Sequence, residues 1–93
     1  SRGLGDVYKR QVDNLAKVAC LSPTQFKKIF KQSTGLSVLQ YVTKQRMEKA
    51  KALLTHTDIP VQLIAERVGY ADLSAFSRRF SLSFGLSPRE LRG

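Results

Sequence analysis

Apolar residues recur along this chain at intervals of three and four, and the segments they define end at small or cap-forming residues. The stretch VDNLAKVAC sets Val12, Leu15, Ala16 and Ala19 at helical spacing. It predicts a short amphipathic helix, followed by a turn at Cys20-Leu21. Ser22-Pro23 then reads as an N-cap with proline at the first helical position. The helix it opens places Phe26, Ile29 and Phe30 on one face and Thr24, Lys27, Lys28 and Lys31 on the other. Gly35 can close it with a left-handed cap. Ser37 caps a longer helix, predicted over about Val38 to Thr55, with Leu39, Val42, Met47, Ala50, Leu53 and Leu54 as buried candidates. No glycine or proline interrupts it, so it should be stiff.

His56 to Pro60 is the only segment with linker character. Pro60 starts a helix over about Val61 to Val68 that buries Val61, Ile64, Ala65 and Val68. Gly69 opens a turn with Tyr70 packed beside it, and Asp72 caps a helix bearing Phe76, Phe80 and Phe84, closed by Gly85. Ser87-Pro88 caps a last short helix, Arg89 to Leu91. No segment alternates with the period of two that a strand requires. The expectation is an all-α chain of six or seven helices.

Two stretches are variants of one another. Phe26, Phe30, Gly35, Leu36 and Ser37 return fifty positions later as Phe76, Phe80, Gly85, Leu86 and Ser87. The Leu15-Ala16 pair returns forty-nine positions later as Ile64-Ala65, so the second copy has one extra residue where a turn should lie. A helix, tight turn, helix unit is therefore duplicated around the long helix, each copy with its own small core.

Charge says what such a pair of units meets. The chain has 93 residues and a formal net charge of +9, from 16 Lys and Arg against 7 Asp and Glu. That size bounds it to one compact domain or two small lobes, and the charge calls for a polyanionic partner. No apolar run is long enough to span a bilayer and no signal peptide is apparent, so a membrane is the weakest candidate. The single cysteine, Cys20, excludes an internal disulfide framework and fits a reducing cytoplasm. With one histidine and no phosphate loop or metal-ligand spacing, an enzyme has almost no support, and no cofactor or metal is expected.

Residues 1–11, SRGLGDVYKRQ, read differently from the rest. DVYKRQ is the translation of GAT GTG TAT AAG AGA CAG, which resembles the transposon mosaic-end adapter used in sequencing libraries. The segment is read as a cloning or assembly scar, with native sequence from near Val12. These residues are expected to pack little, or to stand in poorly for a missing helix through Val7 and Tyr8; good burial of Leu4, Val7 and Tyr8 against Leu15 and Phe30 would count against the scar. The alternative is a basic N-terminal arm of the kind that enters a minor groove. Without those residues the net charge falls from +9 to +7, through loss of Arg2, Lys9, Arg10 and Asp6.

A helix lying in a major groove packs one stripe on its own protein and offers the other to base edges and phosphates. Thr24, Lys28 and Lys31 share one such face and Ser74, Arg78 and Ser81 another, each opposite a phenylalanine pair. Arg78 can bond guanine O6 and N7 together, Lys28 can approach the same atoms as a point charge, and Thr24 and Ser74 are tolerant readers. Gln25 could pair with adenine if its helix is rolled suitably. Phe26, Phe30, Phe76 and Phe80 are read as core rather than as base-stacking groups. Lys44, Lys49 and Lys51 are read as solvated surface, and Arg46 and Arg67 as partners in ion pairs, for instance with Glu48 or Glu66.

From Val12 to Arg92 the chain resembles the DNA-binding domain of the AraC/XylS family of bacterial transcription regulators. Ile64 to Arg92, IAERVGYADLSAFSRRFSLSFGLSPRELR, follows the family's Ile-Ala pair, Gly-aromatic turn, Phe-Ser-Arg-x-Phe helix and Gly-x-Ser-Pro before a terminal Arg; Gln45 to Leu54 resembles its linker helix. The resemblance implies two homeodomain-like helix-turn-helix lobes, 12–37 and 60–92, joined by a linker helix over 38–55. Their second helices would enter successive major-groove segments of double-stranded DNA. It places base contacts at Thr24, Gln25, Lys27 and Lys28 and at Leu73, Ser74, Ser77 and Arg78. Phosphates would meet Lys31, Arg79 and the capped helix starts at Ser37 and Ser87. It further implies a cytoplasmic regulator, an activator acting through RNA polymerase, whose dimerisation, if any, uses an N-terminal domain outside this sequence. Two departures stand out: Cys20 occupies the turn position that Gly69 holds in the second copy, tolerable if no positive φ is needed there, and the family's usual helix ahead of Leu15 is replaced by the scar. The rival readings are a non-specific nucleic-acid-binding or packaging module, for which charge alone suffices, and a helical protein-interaction module, which needs an exposed apolar patch.

Overall fold

The computed structural model describes residues 2–93, with side chains from Tyr8 onward. Six helices follow one another: α1 (Arg2–Val18), α2 (Pro23–Thr34), α3 (Val38–His56), α4 (Val61–Arg67), α5 (Leu73–Phe84) and α6 (Pro88–Arg92). No strand occurs among the described residues. The body is elongated, 45 × 24 × 21 Å, with α3 running between a lobe of α1 and α2 and a lobe of α4, α5 and α6.

Local chemistry sets the boundaries. Ser22, Ser37 and Ser87 each accept from the backbone N–H three residues on while the side chain at that third position accepts from the cap's own N–H, so three of the helices open with complete capping boxes. Asp72 caps α5 by accepting from the Ser74 N–H at 2.8 Å. Gly35 and Gly85, both at φ 78°, close α2 and α5 in the left-handed conformation that glycine adopts without a Cβ penalty. As expected, α3 is unbroken; its nineteen residues span about 28 Å at ~1.5 Å each.

The core belongs to the second lobe. Met47, Ala50 and Leu54 of α3 pack with Ile64, Ala65, Val68, Tyr70, Phe76 and Phe80, all buried, and Phe80 stacks on Phe84 at 4.8 Å between centroids. The first lobe is different. Among the described side chains only Val12, Ala16 and Val38 are buried there, α2 buries no residue, and Phe26 and Phe30 are half-buried. The reading of Phe26 and Phe30 as core thus holds only in part, whereas Phe76 and Phe80 are fully buried. Leu15, Ile29 and Leu39 are 47%, 46% and 45% exposed, and Ala19 is also exposed, against the burial expected of the helical pattern. In this lobe a periodic stripe meets only α1 and the first turns of α3; in the other, α3, α4 and α6 close around it.

Two further expectations change. The first helix does not begin near Val12: α1 runs continuously from Arg2, and no separate helix precedes Leu15 among the described residues. The Leu4 and Val7 side chains lie outside the described ones, whereas Tyr8 is half-buried with the Lys27 ammonium 5.9 Å from its ring centroid. Cys20 does adopt a positive φ, 59°, so the turn that Gly69 makes at φ 97° is made here by a residue with a Cβ.

Two arginines tie the second lobe to α3 through carbonyl groups. Arg46 donates from Nη1 to the Val68 carbonyl at 2.9 Å, across Gly69, and is not engaged with Glu48 as expected. Burial lowers its pKa, an effect that Tyr70 opposes. Arg92 donates to the carbonyls of Leu54 (3.4 Å), Leu53 (3.5 Å), Thr57 (3.0 Å) and Ile59, fastening the chain's end to the exit of α3. Leu54 and the C-cap Thr57 lie at the end of α3, where carbonyls run out of helical partners and a cation can satisfy them; Leu53 already accepts from the Thr57 N–H at 3.1 Å, and Ile59 belongs to the linker.

Candidate nucleic-acid interface

Each recognition candidate is the second helix of its lobe, held at its start by a cap and at its end by glycine. On α2, Thr24, Gln25, Lys27, Lys28 and Lys31 are all exposed, with Phe26 and Phe30 half-buried on the other side. On α5 Ser74, Arg78 and Arg79 are exposed and Ser77 and Ser81 half-buried, opposite Phe76 and Phe80. Both outward faces are polar and basic while the inward faces are aromatic, and the chain supplies the two at a fixed distance through one stiff helix.

The geometry separates the expected contacts. Thr24, Lys27, Lys28, Ser74 and Arg78 are presented outward with no side-chain hydrogen bond in the protein among the described residues. Gln25 is otherwise engaged: its Oε1 accepts from the Ser22 N–H and Oγ, each at 3.3 Å, so pairing with adenine requires the capping box to open. Leu73 packs against the core and Ser77 is half-buried, which leaves them less of their surface to offer than Ser74 and Arg78. Capping was visible in the Ser22-x-x-Gln25 spacing, and that signal competes with reading Gln25 as a base contact.

The phosphate candidates divide as well. Lys27, Lys28 and Lys31 line a notch of about 500 Å³ with Tyr8, Gln32 and the α3 start at Ser37 and Val38. The box at Ser37 is neutral, closed by Gln40 at 2.9 Å, so the positive end of α3 stays uncompensated beside three ammonium groups. The box at Ser87 is closed by the Glu90 carboxylate at 2.7 Å. A phosphate there would face that carboxylate, and Pro88 has no N–H to give. Ser87 is thus poorly suited to the role expected of it. Arg79 is exposed and shares a cleft with Tyr70; burial raises the Tyr70 pKa, and the charges of Arg79 and Arg46 pull it back.

No group of three or more His, Cys, Asp or Glu side chains able to hold a metal occurs among the described residues, and none of their helices is long and apolar enough to cross a membrane.

A helix-turn-helix domain family matches residues 15–93 of this chain. The chain belongs to the AraC-type helix-turn-helix family. It is 38% identical over 81 residues to the arabinose operon regulatory protein of Escherichia coli (strain K12), covering 87% of this chain and 28% of that protein. To the HTH-type transcriptional activator RhaS of Enterobacter sp. (strain 638) it is 41% identical over 91 residues, covering 96% of this chain and 33% of that protein. It therefore spans about three tenths of these relatives' length. Among solved structures, the C-terminal domain of AraT, a response regulator from Geobacillus stearothermophilus, superposes with a TM-score of 0.80 at 35% identity, covering 98% of this chain and 80% of that one. The DNA-binding domain of the global transcriptional factor AdpA, solved in complex with a target DNA, gives 0.78 at 29% identity, covering 99% and 91%.

Proposed function

We propose that this AraC-type domain binds double-stranded DNA sequence-specifically, as the reading part of a longer bacterial transcription regulator. The observation that carries the proposal is the pair of outward polar faces on capped helices fifty residues apart, held by one unbroken helix. The unbroken α3 spans about 28 Å, near the ~34 Å between successive major-groove segments, and the lobes at its ends add the remainder. Thr24, Lys28, Ser74 and Arg78 read bases, with Lys27 beside them and Gln25, Leu73 and Ser77 in lesser roles. Lys31, Arg79 and the start of α3 at Ser37 hold phosphates, and Ser87 contributes least. The longer protein acts as an activator, as the relative RhaS does by name, and works through RNA polymerase.

The test separates reading from holding. Arg78→Ala should cost about 1 to 3 kcal/mol on a site selected for tight binding, while random DNA loses only the effect of one charge. Lys31→Ala should weaken both DNAs alike and lower the salt slope by about one counterion. Equal losses for Arg78→Ala on the two DNAs would point to non-specific nucleic-acid binding instead.

A further inference from the structure

Between the first half of α3 and the flank of α5 lies a cleft of about 880 Å³. Gln40, Thr43, Lys44 and Glu48 line it from α3, and Arg78, Arg79 and Ser83 from α5. It thus shares Arg78 with the face assigned above to base reading and opens directly beside it. Three cations face one carboxylate across its walls. Lys44 is exposed, and its position on α3 gives it no structural duty: Arg46 and Arg92 make the ties between α3 and the second lobe, and the core is met by Met47, Ala50 and Leu54.

We propose that this cleft is a clamp for the DNA backbone, with Lys44 on α3 and Arg79 on α5 gripping phosphate between the two major-groove segments. The inference rests on the DNA-binding reading and adds a residue to it, for Lys44 reads in the sequence as solvated surface. When two recognition helices occupy successive major-groove segments on one face, the sugar-phosphate strands bounding the intervening minor groove must pass the element that joins them. Here that element is α3. Lys44 sits six residues into it, about 9 Å along its axis from Val38, and so meets the strand between the lobes. Arg79 approaches from the opposite wall, exposed beside Tyr70, which is itself held in the core beneath. Thr43, Gln40 and Ser83 add neutral donors, as backbone-positioning contacts commonly do. Glu48, one turn beyond Lys44, confines the favourable potential to the Lys44 end of the cleft.

The experiment is a salt titration of the 93-residue chain on a selected duplex and on random duplex, comparing Lys44→Gln, Lys44→Glu and Lys49→Gln with the parent. Lys49 is exposed on the same helix but lines a different groove, with Leu15, Phe30 and Tyr41. For Lys44→Gln the slope of log affinity against log salt should fall by about 0.9 on both DNAs, so that its deficit against the parent shrinks roughly threefold between 50 and 200 mM salt. Lys44→Glu should exceed that loss, and Lys49→Gln should leave the slope unchanged. If the parent binds DNA and Lys44→Gln keeps its slope, or Lys49→Gln loses as much, the clamp is wrong while the DNA reading stands. If the parent shows no salt-dependent binding to either duplex, both fail together.

Discussion

Gly69→Ala tests how the second lobe is locked to the linker helix. Gly69 has φ +97°, and a Cβ added there would fall 1.8 Å from Arg46 Nη1, the atom that donates to the Val68 carbonyl. Two costs follow. A side chain at this φ carries about 1 to 2 kcal/mol of backbone strain. The guanidinium can swing away, because it is the end of a flexible side chain, but it then gives up a charge-assisted hydrogen bond worth roughly 1 to 2 kcal/mol at a half-exposed site. The sum is about 2 to 4 kcal/mol, which for a domain of this size lowers the melting temperature by roughly 10 to 25 °C. Urea denaturation at unchanged m-value gives the figure directly. In an Arg46→Met background, which keeps the apolar stem, the same substitution should cost only the strain, about 1 to 2 kcal/mol. A cost below about 0.5 kcal/mol in the parent, or the same cost in both backgrounds, would refute the coupling of Gly69 to Arg46.

The matching turn in the first lobe predicts the opposite sign: Cys20→Gly relieves a positive φ of 59° and should raise stability by up to about 1 kcal/mol, after the greater flexibility of glycine in the unfolded chain is deducted. Phe76→Ala should cost about 3 to 5 kcal/mol, whereas Ile29→Ser, at a site 46% exposed, should cost under about 1; amide exchange should correspondingly be faster in α2 than in α5. Because Tyr70 has a raised pKa in the folded state, its contribution to stability is complete below the ordinary tyrosine value of about 10 and is lost as pH rises through the raised one. The alkaline loss measured by urea denaturation should be smaller in Tyr70→Phe, and an identical pH profile in the two proteins would contradict that.

Much of this architecture is legible in local chemistry. Ser22-Pro23, Ser37 and Ser87-Pro88 declare three helix starts, Gly35 and Gly85 two helix ends, and the absence of glycine and proline from 38–55 a continuous rod. The second-lobe core follows from periodicity, since Ile64, Ala65, Phe76 and Phe80 meet other helices on every side. The same periodicity misleads in the first lobe. Leu15 and Ile29 lie on apolar stripes, and burial depends on what covers a stripe rather than on the stripe itself. The roles of Arg46 and Arg92 escape sequence reasoning for another reason. Their acceptors are backbone carbonyls 22 and more than 30 residues away, groups that every residue carries and no pattern marks. At Gln25 two local signals, the capping box and the recognition face, fall on one side chain, and the fold uses the first.

If α2 and α5 read two segments of one duplex, both preferences must show in the sites this chain selects. Selection of binding sites from a randomised double-stranded library by this chain tests this most directly. The prediction is enrichment of sites with two short preferred blocks whose centres lie about 10 base pairs apart, one helical turn. Substitution of Arg78 should relax the block read by α5 and leave the other intact. A library that emerges without preferred bases, or with a single block insensitive to Arg78, would contradict the claim.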